Sequence, residues 1–229
     1  MPYSLRKKCL LQGCLLWIVI LLLGSLTEAQ ATHLRAGDIT AKRDTTPNPN
    51  PRRFFFTMTI YRDQGSPIFD EQVTIANGDG TTQRVDRYSI SDIGNETDRE
   101  VFYWEYTYPA DGTYIIGCNI EERNNGILNI APPTNQVSFY ISTTININAL
   151  RGFNSTPVLT VAPIDVAAVG RVFVHNPGAY DADGDSLAFK LRVPQHINSA
   201  GQITDVPGYS LPSLTFSCQS SDASGASYL

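Results

Sequence analysis

Three aspartates, Asp181, Asp183 and Asp185, stand at alternate positions of one short stretch, AYDADGDSLAFKL, over residues 179–191. Calcium is a hard cation that prefers about six to eight oxygen ligands, and closely spaced carboxylates suit such a site. The alternative is a solvated turn, because Asp and Gly are ordinary turn residues. Three acids supply about half of a coordination shell. A calcium site here therefore needs further oxygens from elsewhere in the chain.

The EF-hand loop does not fit this stretch. With Asp181 at position one, Ser186 stands where that loop needs glycine, and Arg192 stands where it needs a bidentate acid. An alternating strand pattern follows the aspartates rather than a helix. We therefore expect the aspartates at the edge of a β domain.

The first 31 residues have the features of a secretory signal peptide. Residues 6–8 are basic, residues 15–23 are an apolar run, and Ala29-Gln30-Ala31 supplies small residues around a cleavage site. An uncleaved anchor is the alternative, but nine apolar residues are fewer than the ~20 that span a bilayer. We expect a chain that is exported to the cell surface or secreted, with no membrane span after cleavage.

The remaining chain is acidic. Removing Arg6, Lys7, Lys8 and Glu28 from 17 basic and 22 acidic residues leaves 14 and 21, a net charge of −7. Nucleic-acid binding needs clustered Lys and Arg, so this charge argues against it. Two cysteines remain, Cys118 and Cys218, too few for a small disulfide framework. Whether they pair is left open by the sequence.

Strand patterns dominate the chain and predict an all-β fold. Apolar and polar residues alternate over residues 54–61 and 137–147, which indicates strands with one buried face. Asn77-Gly78-Asp79-Gly80 predicts a hairpin turn between two further strands. The proline-rich residues 45–51 predict an exposed loop. Strands at short spacing, broken by Gly, Pro and Asn, favour tandem immunoglobulin-like β-sandwiches.

A break at Asn154-Ser155-Thr156-Pro157 divides the chain, and a new alternation begins beyond it. We place the boundary near residue 151, with one β-sandwich over residues 32–150. Residues 151–229 are fewer than the ~100 of a typical sandwich. We therefore expect a second, incomplete β domain that belongs to a longer protein.

Two stretches resemble known families. Residues 106–116, YTYPADGTYII, resemble the late strands of PKD-type immunoglobulin-like domains. Residues 154–191 resemble the opening of a bacterial cadherin-like repeat, with an Asn-x-x-Pro linker, a turn at Gly170 and Asp-x-Asp-Gly-Asp-x-Leu. With Val206-Pro207-Gly208-Tyr209 beyond, the order is similar to the N-terminal region of gliding-motility-associated surface proteins of Bacteroidetes.

This resemblance covers about residues 32–212 and implies a long, non-catalytic protein exported by the type IX system. It implies calcium ligands at the edge of the second domain: Asp181, Asp183, with Asp185 either a third ligand or a cap, and Asn154 from the linker. A shared ion would stiffen the joint between two sandwiches. Asp98-Arg99-Glu100 matches the Asp-Arg-Glu triplet of cadherin repeats, a pattern short enough to arise by chance.

Catalytic motifs do not stand out in the sequence. His33, His175 and His196 are scattered, and neither a nucleophile elbow nor a His-Glu-x-x-His pair occurs. The sequence favours a non-catalytic stalk or adhesion segment whose partners are other surface proteins or extracellular glycans. The alternative is a carbohydrate-binding module using the aromatic face of residues 102–108, although core packing explains such aromatics better.

Overall fold

The computed structural model describes residues 34–66, 71–121, 123–124, 126–148, 150, 152, 154–166, 168, 171 and 174–211. The signal-peptide prediction for residues 1–31 and Cys218 lie outside the described residues. In chain order the strands are β1 Leu34–Arg43, β2 Arg53–Asp63, β3 Gln72–Ala76, β4 Thr82–Asp92, β5 Thr97–Thr107, β6 Gly112–Ile120, β7 Phe139–Ile147, β8 Val158–Leu159, β9 Ala179–Tyr180, β10 Gln195–Ile197 and β11 Ile203–Asp205.

Strands form nearly all of the regular structure, so the all-β prediction is confirmed. A short 3₁₀ turn, Thr134–Gln136, is the single helical element among the described residues. Within the same part of the chain, no helix has the length and apolar character needed to cross a membrane.

The strands hydrogen-bond in the order β1-β2-β5-β4-β3-β6-β7-β10-β11. β4 belongs to two layers, because residues 82–86 pair with β3 whereas residues 87–92 pair with β5. A bulge at Tyr88, between the register positions of Arg87 and Ser89, accompanies the change of partner. Such irregularities bend a strand and increase its twist, which lets one strand serve both sheets of a sandwich.

The core lies between these layers and follows from the alternation in the sequence. Phe54, Phe56, Met58 and Ile60 of β2 are buried, and they lie beside core-facing residues of β5. The predicted strands over residues 54–61 and 137–147 are thus confirmed as β2 and β7. The hairpin prediction is also confirmed, since residues 77–81 join the antiparallel pair β3 and β4.

Strands beyond residue 151 also join this sheet. Gln195 of β10 pairs with Tyr140 of β7, and β11 follows as the next strand. Arg123, buried nearby, donates from Nε to the Ser138 carbonyl at 3.2 Å and from Nη2 to the Gln195 carbonyl at 3.0 Å. The boundary near residue 151 and the separate second domain stay predictions.

Residues 158–193 contain little regular structure. Two-residue strands β8 and β9 form a separate antiparallel pair. The alternating pattern over residues 187–193 predicted a strand, and this prediction is wrong, because the segment belongs to no ladder. A strand needs a neighbour to satisfy its backbone groups, and the described residues supply none here.

Candidate functional site

The linker at residues 154–157 lies against the open edge of β1. The Thr156 N–H donates to the Ala41 carbonyl at 2.8 Å, and the Ala41 N–H donates to Thr156 Oγ1 at 2.7 Å. Strand edges carry unpaired backbone groups that another segment can satisfy. The linker therefore continues the pairing of the first sheet instead of leaving it.

Asp183 joins this edge from 28 residues further along the chain. Its Oδ2 accepts the Ser155 N–H at 2.6 Å, and its Oδ1 accepts Nε of Arg43 at 2.7 Å. Arg43 ends β1, and its own N–H reaches Ser155 Oγ at 3.4 Å. We call Arg43, Ser155, Thr156 and Asp183 the junction clamp. It links the end of β1, the linker and the acidic turn through direct hydrogen bonds.

The electrostatics of the clamp favour an ionised carboxylate. Burial alone would raise the pKa of Asp183, because only 13% of its side chain is exposed. The hydrogen bonds from Ser155 and Arg43 outweigh burial, and the pKa of Asp183 lies below its ordinary value. The carboxylate therefore keeps its charge at neutral pH and attracts the guanidinium of Arg43.

The acidic turn is organised by its first aspartate. Asp181 Oδ1 accepts the backbone N–H groups of Asp183 at 2.9 Å and Asp185 at 3.2 Å. Gly184 has a φ of +87°, a conformation that glycine adopts without steric cost. Asp181 thus holds the turn in the manner of an Asx turn, and this places the Asp183 carboxylate towards the linker.

The predicted calcium ligands come only partly together. Asp183 lies against the residue that follows Asn154, as the sequence predicted for a junction. Asp185 is exposed, and Asn154, also exposed, lines a shallow pocket with Phe54 and Asn146. Within the part of the chain that the structure describes, no three His, Cys, Asp or Glu side chains are grouped to hold a metal ion.

Sequence reasoning missed Arg43, Ser155 and Thr156. The pattern of β1 places Arg43 at a strand end, but nothing in the sequence relates it to an aspartate 140 residues away. Ser155 and Thr156 contribute largely through backbone groups, which any residue type carries. Their one signal was the polar character of the linker.

The Asp-Arg-Glu triplet has a different environment. Glu100 is buried on the core side of β5 and lies 2.5 Å from Arg62 and 3.6 Å from Arg87. Asp98 accepts Nε2 of Gln64 at 2.9 Å and lies 3.8 Å from Arg62. These acids neutralise buried arginines at one end of the sandwich, and their contacts do not involve the junction clamp.

Most of the aromatic face of residues 102–108 lies in the core. Trp104 stacks on Phe56 with ring centroids 5.1 Å apart, and Phe102 and Tyr108 are fully buried. A different aromatic pair is exposed: Tyr88 and Tyr103 make an edge-to-face contact at 4.8 Å, with 73% and 50% of their surfaces accessible. This pair lies on the outer side of the sheet.

The described histidines have separate partners. His175 Nδ1 contacts an oxygen of Asp165, and His196 Nε2 lies 3.1 Å from Thr204 Oγ1. His33 lies outside the described residues. The two described histidines therefore belong to different local contacts.

Comparisons with known proteins add no relative. No protein-family model matches the chain, and neither a curated protein nor a solved structure matches it. The function is therefore argued from the sequence and from this geometry alone.

Proposed function

We propose that the chain is a non-catalytic, exported segment of a cell-surface protein, and that it acts as a stalk or adhesion element. The junction clamp is the observation that carries this proposal. Small contacts between neighbouring β units leave motion between them as the default. A charged pair with backbone bonds to both partners opposes that motion, which suits a segment that transmits force or holds a ligand at a distance.

Other features support the same proposal. The interior is a tightly packed aromatic and aliphatic core rather than an enclosed polar cleft. The chain is acidic, has the features of a signal peptide and resembles the N-terminal region of Bacteroidetes gliding-motility surface proteins, a family exported by the type IX system. Its partners would be other surface proteins or extracellular glycans.

Calcium at Asp181, Asp183, Asp185 and Asn154 would be a second way to stiffen the junction. The fit of these residues is incomplete, because both oxygens of Asp183 already accept protein donors and Asp181 Oδ1 accepts two backbone N–H groups. An ion bound by Asp183 would have to replace the guanidinium of Arg43. We therefore propose that Arg43 supplies the positive charge at this joint, and that calcium is the alternative to test.

The experiment uses intact cells that carry the gene. Surface protease treatment should digest the protein in unbroken cells, and deletion should reduce attachment of the cells to glass or polysaccharide. Asp183→Asn should weaken attachment, whereas Asp185→Asn, the same change at an exposed position, should not. A protein that stays protected in intact cells, or attachment that survives deletion, would rule out the proposal.

A carbohydrate-binding module is the second candidate, and the exposed pair Tyr88 and Tyr103 favours it. Sugar rings stack on exposed aromatic faces, and tyrosine combines an apolar ring with a polar group. Binding to a glycan panel should be lost in Tyr103→Ala and retained in Tyr103→Phe, which keeps the ring. Equal binding by both variants would exclude this surface as the platform.

A further inference from the structure

Residues 187–193, Leu-Ala-Phe-Lys-Leu-Arg-Val, have the pattern of a strand but no strand partner. Apolar residues occupy every second position, as in a strand that buries one face. The segment belongs to no ladder, and its apolar side chains face solvent, with Phe189 62% and Leu191 52% exposed. We call residues 187–193 the donor segment. It has both unpaired backbone groups and an uncovered apolar side.

A complementary edge lies on the other part of the fold. Residues 87–92 of β4 pair with β5 on one side, and no strand among the described residues pairs with their other side. Residues 88–91 contain neither charge nor proline, the usual protections of an edge strand. Tyr88 and Ile90 are exposed there. We call residues 88–92 the acceptor edge.

The charges of the two stretches are opposite. The donor segment carries Lys190 and Arg192 and no acid, whereas residues 88–96 carry Asp92 and Glu96 and no base. Pairing of two donor segments with each other would bring like charges together, which is unfavourable across strands. Charge therefore favours donor with acceptor over donor with donor.

We propose that the donor segment of one copy of this chain adds as a strand to the acceptor edge of a second copy. Main-chain hydrogen bonds would give the affinity of such strand addition, and alternate side chains would give its specificity. Leu191 would lie beside Ile90 on the apolar side. Because the two surfaces differ, the contact is head-to-tail and can repeat, so copies would form open chains. This inference does not rest on the proposed surface function.

Sedimentation of the purified chain over a concentration series tests the proposal. The wild-type chain should form a ladder of oligomers that grows with concentration. Leu191→Asp removes the donor and Ile90→Asp removes the acceptor, so each variant alone should be monomeric. Both positions are exposed, so circular dichroism should show an unchanged β spectrum. Leu128→Asp, at another exposed leucine, should associate as the wild type does.

Mixing the two association-deficient variants gives the decisive result. The Leu191→Asp chain keeps its acceptor edge and the Ile90→Asp chain keeps its donor segment. The mixture should therefore form a one-to-one dimer and nothing larger. A wild-type chain that is monomeric throughout, or a mixture that stays monomeric, would overturn the proposal.

Discussion

Asp183 and Asp38 show how local contacts give two aspartates opposite acidities. Burial and the bonds from Ser155 and Arg43 act against each other at Asp183, and the bonds win, so its pKa is lowered. At Asp38 burial outweighs the attraction of Arg99 and raises the pKa to about 6. The stability that Asp183 contributes is present above the unfolded pKa and is lost as the pH falls through the folded value. For Asp38, stability is lost as the pH rises.

Asp183→Asn should lower the free energy of unfolding by about 1–2 kcal/mol at neutral pH. Asparagine can still accept the Ser155 N–H, but it no longer attracts Arg43, which remains partly buried. Urea unfolding measures the difference. Asp185→Asn is the matched control and should change stability by less than about 0.5 kcal/mol, because its side chain is exposed. Equal losses in the two variants would contradict the role of the clamp.

Asp38→Asn should change how stability depends on pH. The folded wild-type chain holds its Asp38 proton more tightly than the unfolded chain does, since the pKa rises from 3.8 to about 6. Wild-type stability should therefore fall relative to Asp38→Asn between about pH 4 and about pH 6. Unfolding free energies measured across this range provide the check. A constant difference between the two chains would show that Asp38 does not titrate as described.

The β3–β4 hairpin shows how one element joins the two layers. Its turn residue Gly78 has a φ of +85° and lies so close to β6 that an added Cβ would be 2.6 Å from the Ile115 carbonyl oxygen. The Tyr108 hydroxyl also donates to the Asn77 carbonyl, at 3.1 Å. The turn is therefore fixed both by its own backbone and by its neighbours, and β4 begins from a fixed position before it crosses to β5.

Gly78→Ala should destabilise the fold more than Gly80→Ala. Both positions have positive φ, so each alanine should cost about 1–2 kcal/mol in backbone strain. Only Gly78 adds a clash with backbone, worth about 2 kcal/mol more, because nothing lies within 4 Å of a Cβ at Gly80. Thermal unfolding of the two variants measures the difference. Equal losses would mean that the hairpin does not pack against β6 in this way.

At the scale of the whole molecule, the sequence predicted what depends on local patterns. The alternation of Phe54, Phe56 and Met58 fixes which side of β2 is buried, because neighbouring side chains in a strand point to opposite faces. The bond between Arg43 and Asp183 joins residues 140 positions apart, which no local pattern encodes. The strand prediction for residues 187–193 failed for a related reason: alternation describes a face but does not supply a neighbouring strand.

Amide hydrogen exchange at Ser155 and Thr156 tests the junction clamp most directly. These two N–H groups donate to Asp183 Oδ2 and to the Ala41 carbonyl. Both should exchange slowly in the wild-type chain, equally with calcium and with a chelator, and Ser155 should exchange faster in Asp183→Asn. Fast exchange in the wild type, or protection that appears only with calcium, would contradict a junction held by Arg43.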